Sequence, residues 1–303
     1  MDTHAGNDQR VGRPAAKMAQ GRRGCELMRL LSVEIEGIDR VVEVVGEELV
    51  PLKGLSEIGA ETTIEAVREA ERDWSRRVPA AAAKLRQIVP RPGKVFCVGL
   101  NYLSHVEETK RDLPEYPVLF PKYGSSLIAP DADIKLPPES SQVDYEAELA
   151  IVIGRAGRRI PEDEAEEYIL GYTVANDITM RDYQYKTHQW LQGKAWDAST
   201  PLGPALVTRE EVDTSDLRIS TTLNGEILQD SRTSLLMFSV SRLISIVSEF
   251  TALEPGDIIL TGTPSGVGFR REPQVFLRNG DVVEVEIEGI GRITNRVVAE
   301  QIS

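Results

Sequence analysis

The stretch VDYEAELAIVIG, residues 143–154, places the tightest constraint on how this chain can fold. Read as an extended strand, it points Asp144, Glu146 and Glu148 to one face, because successive side chains alternate. That face then continues into Ala150 and Val152, while the other carries Tyr145, Ala147, Leu149, Ile151 and Ile153. If the acid face is buried, its carboxylates need a cation or hydrogen bonds. The strand DVVEVEIEG near the C-terminus is an internal control. Its Glu284, Glu286 and Glu288 alternate in the same way, but their face stays polar up to the turn, as a solvated face does. Spacing alone therefore decides nothing; the apolar continuation of the 143–154 strand does.

A divalent metal would supply the compensation. Ligation by carboxylates without His or Cys favours a hard ion, Mg²⁺ or Mn²⁺, with Ca²⁺ also compatible. A third acid, Asp177, follows the apolar run YTVA, where a strand meets a loop and functional groups concentrate. An Asn176-Asp177 turn is the plainer alternative. Downstream lie Arg181, Asp182, Gln184, Lys186, His188, Gln192, Gly193 and Lys194. Three carboxylates around one divalent ion stay net negative, so a nearby Lys or Arg would offset the excess and could hold an anionic substrate.

Composition narrows the partners. A net charge of -13 opposes binding to nucleic acid or anionic lipid. Cys25 and Cys97 have no CxxC spacing, and no apolar run approaches the roughly 20 residues of a membrane span, so a cytoplasmic protein is expected. TGTPSGVG (261–268) lacks the Lys-Ser/Thr of a P-loop, and no GxSxG elbow is present.

Three segments follow. Residues 1–27 are polar and Arg-containing with no apolar signal core, and are expected to be a flexible extension; order is expected from Met28, itself a candidate start. Residues 28–92 read as a small α+β domain: short strands turning at Gly37 and Gly46, then a helix over 62–89 broken at Pro79. Residues 93–303 are mostly strand and turn, with a single strand over 143–154 and another over 171–184. A short helix is expected over PEDEAEEYIL and a longer one over 234–253, with hairpins near Asn224-Gly225 and after Asn279-Gly280. No internal repeat and no βαβ alternation is visible, so the fold class is α+β and β-rich.

Six segments, in order, carry a family resemblance: VGLNYLSHVEE (98–108), FPKYGSSL (120–127), DYEAELAIVIG (144–154), GYTVANDITMRDYQ (171–184), QGKAWDASTPLGP (192–204) and LTGTPSGVG (260–268). Over roughly residues 94–298 the chain resembles the fumarylacetoacetate hydrolase family. That resemblance implies a rolled mixed β-sheet catalytic domain, a homodimer, and metal-dependent chemistry on a β-dicarbonyl carboxylate. It implies Glu146, Glu148 and Asp177 as metal ligands, with Arg181, Gln184 and Lys194 lining the substrate site. Lys122 and the loop carrying Thr263 would contact substrate or fix the cavity, and residues 103–118 would form a lid. It also implies a His105–Glu108 dyad, one helical turn apart, in which the carboxylate orients a base suited to neutral pH. His188 is left a supporting role. One departure matters: Asn101 stands where the longer animal branch has an aspartate ligand. This assigns the chain to the smaller bacterial-type branch and argues against fumarylacetoacetate as substrate.

The activity expected is hydrolytic C–C cleavage of an acylpyruvate such as fumarylpyruvate or acetylpyruvate. His105 would deprotonate water, and the metal with Lys194 would stabilise the departing pyruvate enolate. Decarboxylation of an oxaloacetate-type 2-keto-dicarboxylate and 2-hydroxymuconate-type isomerisation are alternatives on the same core. A non-catalytic metal- or ligand-binding protein is the alternative of a different class.

Overall fold

The computed structural model describes residues 28–109 and 112–301; the predicted N-terminal extension, residues 1–27, lies outside them. Its centre is a twelve-stranded mixed sheet, faced by a second, five-stranded sheet. The β-rich α+β class read from the sequence is the class observed.

The constraint at 143–154 shapes the middle of the large sheet. Ala147–Ile153 lies between Ile169–Asn176 and Ile258–Leu260, antiparallel to both, and all seven of its residues are buried. One parity, Leu149, Ile151 and Ile153, packs towards Ile219, Val285 and Ile293 of the second sheet and towards Leu243, Ile244 and Val247. The other parity, Ala150 and Val152, packs towards Leu30, Ile64, Ile88 and Val95. A strand covered on both sides can carry acids only where it leaves the core.

It does so by breaking. The single strand expected over 143–154 is two: Val143–Asp144 pairs with Thr179–Met180, and Ala147–Ile153 joins the large sheet, with Tyr145 and Glu146 between them. The strand expected over 171–184 divides likewise, into Ile169–Asn176, Thr179–Met180 and a helical turn Arg181–Gln184.

The largest departure is the helix expected over 62–89. Only Ile64–Glu69 is α-helical, capped by Thr63, whose hydroxyl accepts from the Ala66 N–H at 3.0 Å; Trp74–Arg76 and Ala80–Ala82 are single 3₁₀ turns. Beyond it the chain lies along the N-terminal strands: Leu52 bridges to Arg72, Glu48 pairs with Pro79, and Val33 with Leu85. Edge pairing on either side limits the alanine run to one 3₁₀ turn, and proline cannot serve a helix interior. The predicted helix over 161–170 is a 3₁₀ segment, Glu162–Tyr168, because Ile169 and Leu170 are drawn into the sheet. The helix over 234–253 shortens to Val240–Phe250, started by the Ser239 cap.

Both hairpins form. Arg218–Leu223 and Glu226–Arg232 turn through Asn224 and Gly225, both at positive φ, as a two-residue hairpin turn requires. Val282–Ile287 pairs with Gly291–Ala299, and the control glutamates Glu284 and Glu286 meet Arg292 at the surface. The N-terminal strands join the same large sheet: Arg29–Ile35 pairs with Thr200–Thr208 on one side and Ile38–Val45 on the other. No helix among the described residues is long and apolar enough to cross a membrane.

Asp257 fastens the 90–94 turn to this sheet. Its carboxylate, wholly buried, accepts from the Lys94 N–H and ammonium, both at 2.8 Å, and from the Glu254 N–H at 2.9 Å. Asp257→Ala strands two backbone donors, and a loss of about 3 kcal/mol is expected. Urea unfolding should show a lower midpoint at unchanged slope; an unchanged midpoint would refute the role.

Candidate metal centre and active site

Adjacent strand ends bring the predicted residues together. Glu148 stands opposite Ala175 inside the ladder, and Ala150 opposite Leu260, so the starts of 147–153 and the ends of 169–176 and 258–260 share one edge. At that edge the Asn176 side-chain oxygen accepts from the Glu146 N–H at 3.0 Å, and the Glu146 carbonyl accepts from the Asp177 N–H at 2.9 Å. These two bonds fix acids 31 positions apart in sequence. Glu146, Glu148 and Asp177 are all buried, and each offers an oxygen within 4.8 Å of the others.

Three cations answer them unequally. The Lys194 ammonium lies 2.6 Å from Glu146 and 2.8 Å from Asp177. Lys122 reaches the other Asp177 oxygen at 2.5 Å and donates to the Ile178 carbonyl. Arg181 lies 2.7 Å from Glu146, donates to Asp144 at 2.8 Å and to the Gln184 side chain at 3.0 Å. Glu148 is answered by the Gly262 N–H at 2.7 Å. Gly262 has φ +99°, and a Cβ there would sit 2.9 Å from the Val98 carbonyl, so the turn that presents this donor needs glycine.

The titration behaviour follows. Burial works to raise Glu146, but Lys194 and Arg181 overcome it and hold the carboxyl at about 2. Burial, then Asp177 and Glu146, push Glu148 well above the usual carboxylate range. One acid of the three is thus left short of positive charge. An oxygen-only donor set with this deficit fits a hard divalent cation, Mg²⁺ or Mn²⁺.

The cavity beside the triad has a volume of about 30 Å³ and is walled in part by His105, Glu146, Glu148, Gln184, Lys194 and Thr263. Asp177 and Lys122 are buried behind that wall rather than on it. Lys122 steadies Asp177, the cavity-fixing one of the two roles expected for it. His105 lies in the helix Leu103–Thr109 with Nδ1 3.2 Å from Glu108, whose other oxygen accepts from the Gly266 N–H at 2.9 Å. The predicted pair is formed, and its carboxylate is itself anchored. Asn101 is a clamp: its amide donates to the Thr261 and Phe238 carbonyls and its oxygen accepts from the Phe238 N–H. His188 is exposed and off the cavity wall.

Sequence reasoning missed four residues. Asp144 has no specific role in the sequence reading beyond a supporting place at the strand's mouth; its carboxylate accepts from the Gly268 and Phe269 N–H groups as well as from Arg181. Gln229 accepts from the Ala147 N–H and donates to the Thr263 hydroxyl, tying strand to loop. Phe269 and Arg270 also stand on the wall. Only Asp144 carried a signal, its parity with the two glutamates.

Residues 94–298 match the sequence profile described as fumarylacetoacetate (FAA) hydrolase C-terminal. The chain belongs to the fumarylacetoacetate hydrolase family. It is 46% identical over 240 residues to the mitochondrial oxaloacetate tautomerase Fahd2a of Rattus norvegicus, covering 78% of this chain and 77% of that protein. A 5-carboxymethyl-2-hydroxymuconate delta-isomerase from Mycobacterium smegmatis shares its architecture at a TM-score of 0.77 and 37% identity, over 90% of this chain and all of that one. A fumarylacetoacetate hydrolase from Exiguobacterium antarcticum superimposes at 0.80 with 34% identity, over the same shares. This member of the family is accordingly an enzyme, with an acidic triad suited to a divalent ion.

Glu148→Gln tests the triad without an activity assay. The glutamine oxygen still accepts from the Gly262 N–H, while a charge repelled by two neighbours is removed. The metal-free variant should be at least as thermostable as the native protein, and the upward shift in melting temperature given by Mg²⁺ or Mn²⁺ should be lost. An undiminished shift would exclude Glu148 as a ligand.

Proposed function

We propose that this enzyme interconverts the enol and keto forms of a short 2-oxo dicarboxylate, with oxaloacetate as the type substrate. The observation that carries the reaction class is the wall itself: a carboxylate-supported imidazole faces the same small cavity as Lys194, Glu146 and Glu148. The relatives named as oxaloacetate tautomerases, similar over more than three quarters of both chains, support the substrate class. The structural neighbour named as a delta-isomerase supports a proton transfer without bond cleavage.

Glu146, Glu148 and Asp177 would hold the cation, Mg²⁺ or Mn²⁺. When bound, it supplies positive charge that favours the enolate form of a 2-oxo acid. The protein's own groups do the rest. Glu108, anchored by the Gly266 N–H, accepts from His105 Nδ1 and so leaves Nε2 to take or return a proton at carbon 3. The Lys194 ammonium, which burial disfavours but Asp177 and Glu146 stabilise, stays charged beside the oxygen that gains negative charge. Gln184 and Thr263 orient the substrate from the wall, each held by a partner, Arg181 and Gln229 respectively. The proton that leaves the enol oxygen is matched by the one gained at carbon, so no co-reactant is needed.

Acylpyruvate hydrolysis is the second reading. It is favoured by the same dyad together with a cavity large enough for a water molecule. Loss of enol absorbance alone does not separate the two, so products must be followed. With Mg²⁺ or Mn²⁺, purified enzyme should speed the enol–keto conversion of oxaloacetate, lose that activity in EDTA, and release neither pyruvate nor CO₂. His105→Ala should slow the conversion by about 10²–10⁴-fold, the usual worth of a positioned acid–base group. Faster release of pyruvate from acylpyruvates than tautomerisation of oxaloacetate would install hydrolysis instead. Stoichiometric CO₂ would install decarboxylation, and no turnover of any of these acids would leave a binding protein.

A further inference from the structure

The cavity wall carries three strong cations, and two of them are already committed. Arg181 is paired with Asp144 and Glu146, and Lys194 with Glu146 and Asp177. Arg270 is different. Among the described residues its guanidinium meets no carboxylate, and its Nε is buried without a hydrogen-bond partner. A buried guanidinium N–H left unmade is costly, so its presence on a cavity wall points to an acceptor that arrives with the ligand.

Its surroundings hold it in place for that purpose. Arg270 ends the 3₁₀ turn Gly268–Arg270. The Asp144 carboxylate accepts from the Gly268 N–H at 2.8 Å and the Phe269 N–H at 3.0 Å, so the acid that grips Arg181 also seats this turn. The Arg270 guanidinium carbon lies 5.0 Å from the centre of the Phe269 ring, and Tyr185 stacks on that ring at 5.3 Å. Arginine laid against an aromatic ring keeps its planar fork of donors free for a carboxylate.

We propose that Arg270 binds the distal carboxylate of the substrate and selects dicarboxylic over monocarboxylic 2-oxo acids. The inference rests on the proposed 2-oxo acid chemistry and deepens it. The triad end of the cavity takes the 2-oxo acid head, and Arg270 marks where the other end of the molecule is read. The Asp144 carboxylate, touching both Arg181 and the Arg270 turn, sets the spacing between the two ends.

The test compares ligands that share a head and differ at the distal group. In the presence of Mn²⁺, calorimetry on the native protein should show malate binding at least tenfold tighter than lactate. Arg270→Met should erase that gap and Arg270→Lys should restore part of it. In turnover, Arg270→Met should raise KM for enol-oxaloacetate about 10–100-fold while KM for its 4-methyl ester moves less than about twofold. Mn²⁺ should still raise the melting temperature of Arg270→Met as it raises that of the native protein, which a collapsed turn would not allow. No malate preference in the native protein, or a preference that survives Arg270→Met, overturns the assignment. If native enzyme leaves oxaloacetate unconverted, the tautomerase reading fails, and the malate–lactate comparison still decides Arg270.

Discussion

The structure depends on making four buried carboxylates tolerable at one sheet edge. Asp144, Glu146, Glu148 and Asp177 are at most 4% exposed, and so are the cations Lys122, Arg181 and Lys194 that face them. Removing such groups from water costs several kcal/mol each unless geometry returns it. The return comes from placement. The strand breaks at Tyr145–Glu146, which frees the Glu146 carboxylate from the ladder while its backbone stays bonded to Asn176 and Asp177. Two one-turn helices, Arg181–Gln184 and Leu191–Lys194, then bring two of the cations from the same stretch of chain. A Cβ on Gly193 would meet the Gln184 backbone at 2.5 Å, so these helices can approach only through glycine.

Within that cluster the charges are not shared evenly, and the unevenness is informative. Glu146 and Asp177 each have cations on both oxygens, whereas Glu148 has one backbone donor. A structural ion-pair network would be expected to spread its cations over all its acids. Leaving one carboxylate short, beside two others and on a cavity wall, is the pattern of a site completed by a further cation. The same contrast separates Arg270 from Arg181 on the cavity wall.

Much of this was legible. Parity identified the acid strand, and the apolar continuation at Ala150 and Val152 distinguished it from the solvated strand carrying Glu284 and Glu286. Both readings rest on local alternation, which a sequence displays directly. The hairpins were legible for the same reason, because Asn224-Gly225 specifies its own backbone. The helix over 62–89 was misread because nothing local announces that Pro79 and Leu85 pair with strands some thirty and fifty residues earlier. The dyad was legible only through the family likeness; three-residue spacing of a His and a Glu is common, and the anchor on Glu108 comes from Gly266, far along the chain.

Asp144 shows where such reading stops. It shares the parity of the two glutamates, yet the break at Tyr145 turns it towards backbone donors more than 120 positions downstream. Three donors from the turn and from Arg181, with the Tyr145 N–H as a fourth, occupy both of its oxygens. Metal binding would have to displace them, which is why an acid two residues from Glu146 serves as scaffold. Position along a strand thus fixes which face an acid leaves from. Which partner it meets depends on loops that the strand itself does not encode, and here those loops carry Phe269 and Arg270 to the cavity.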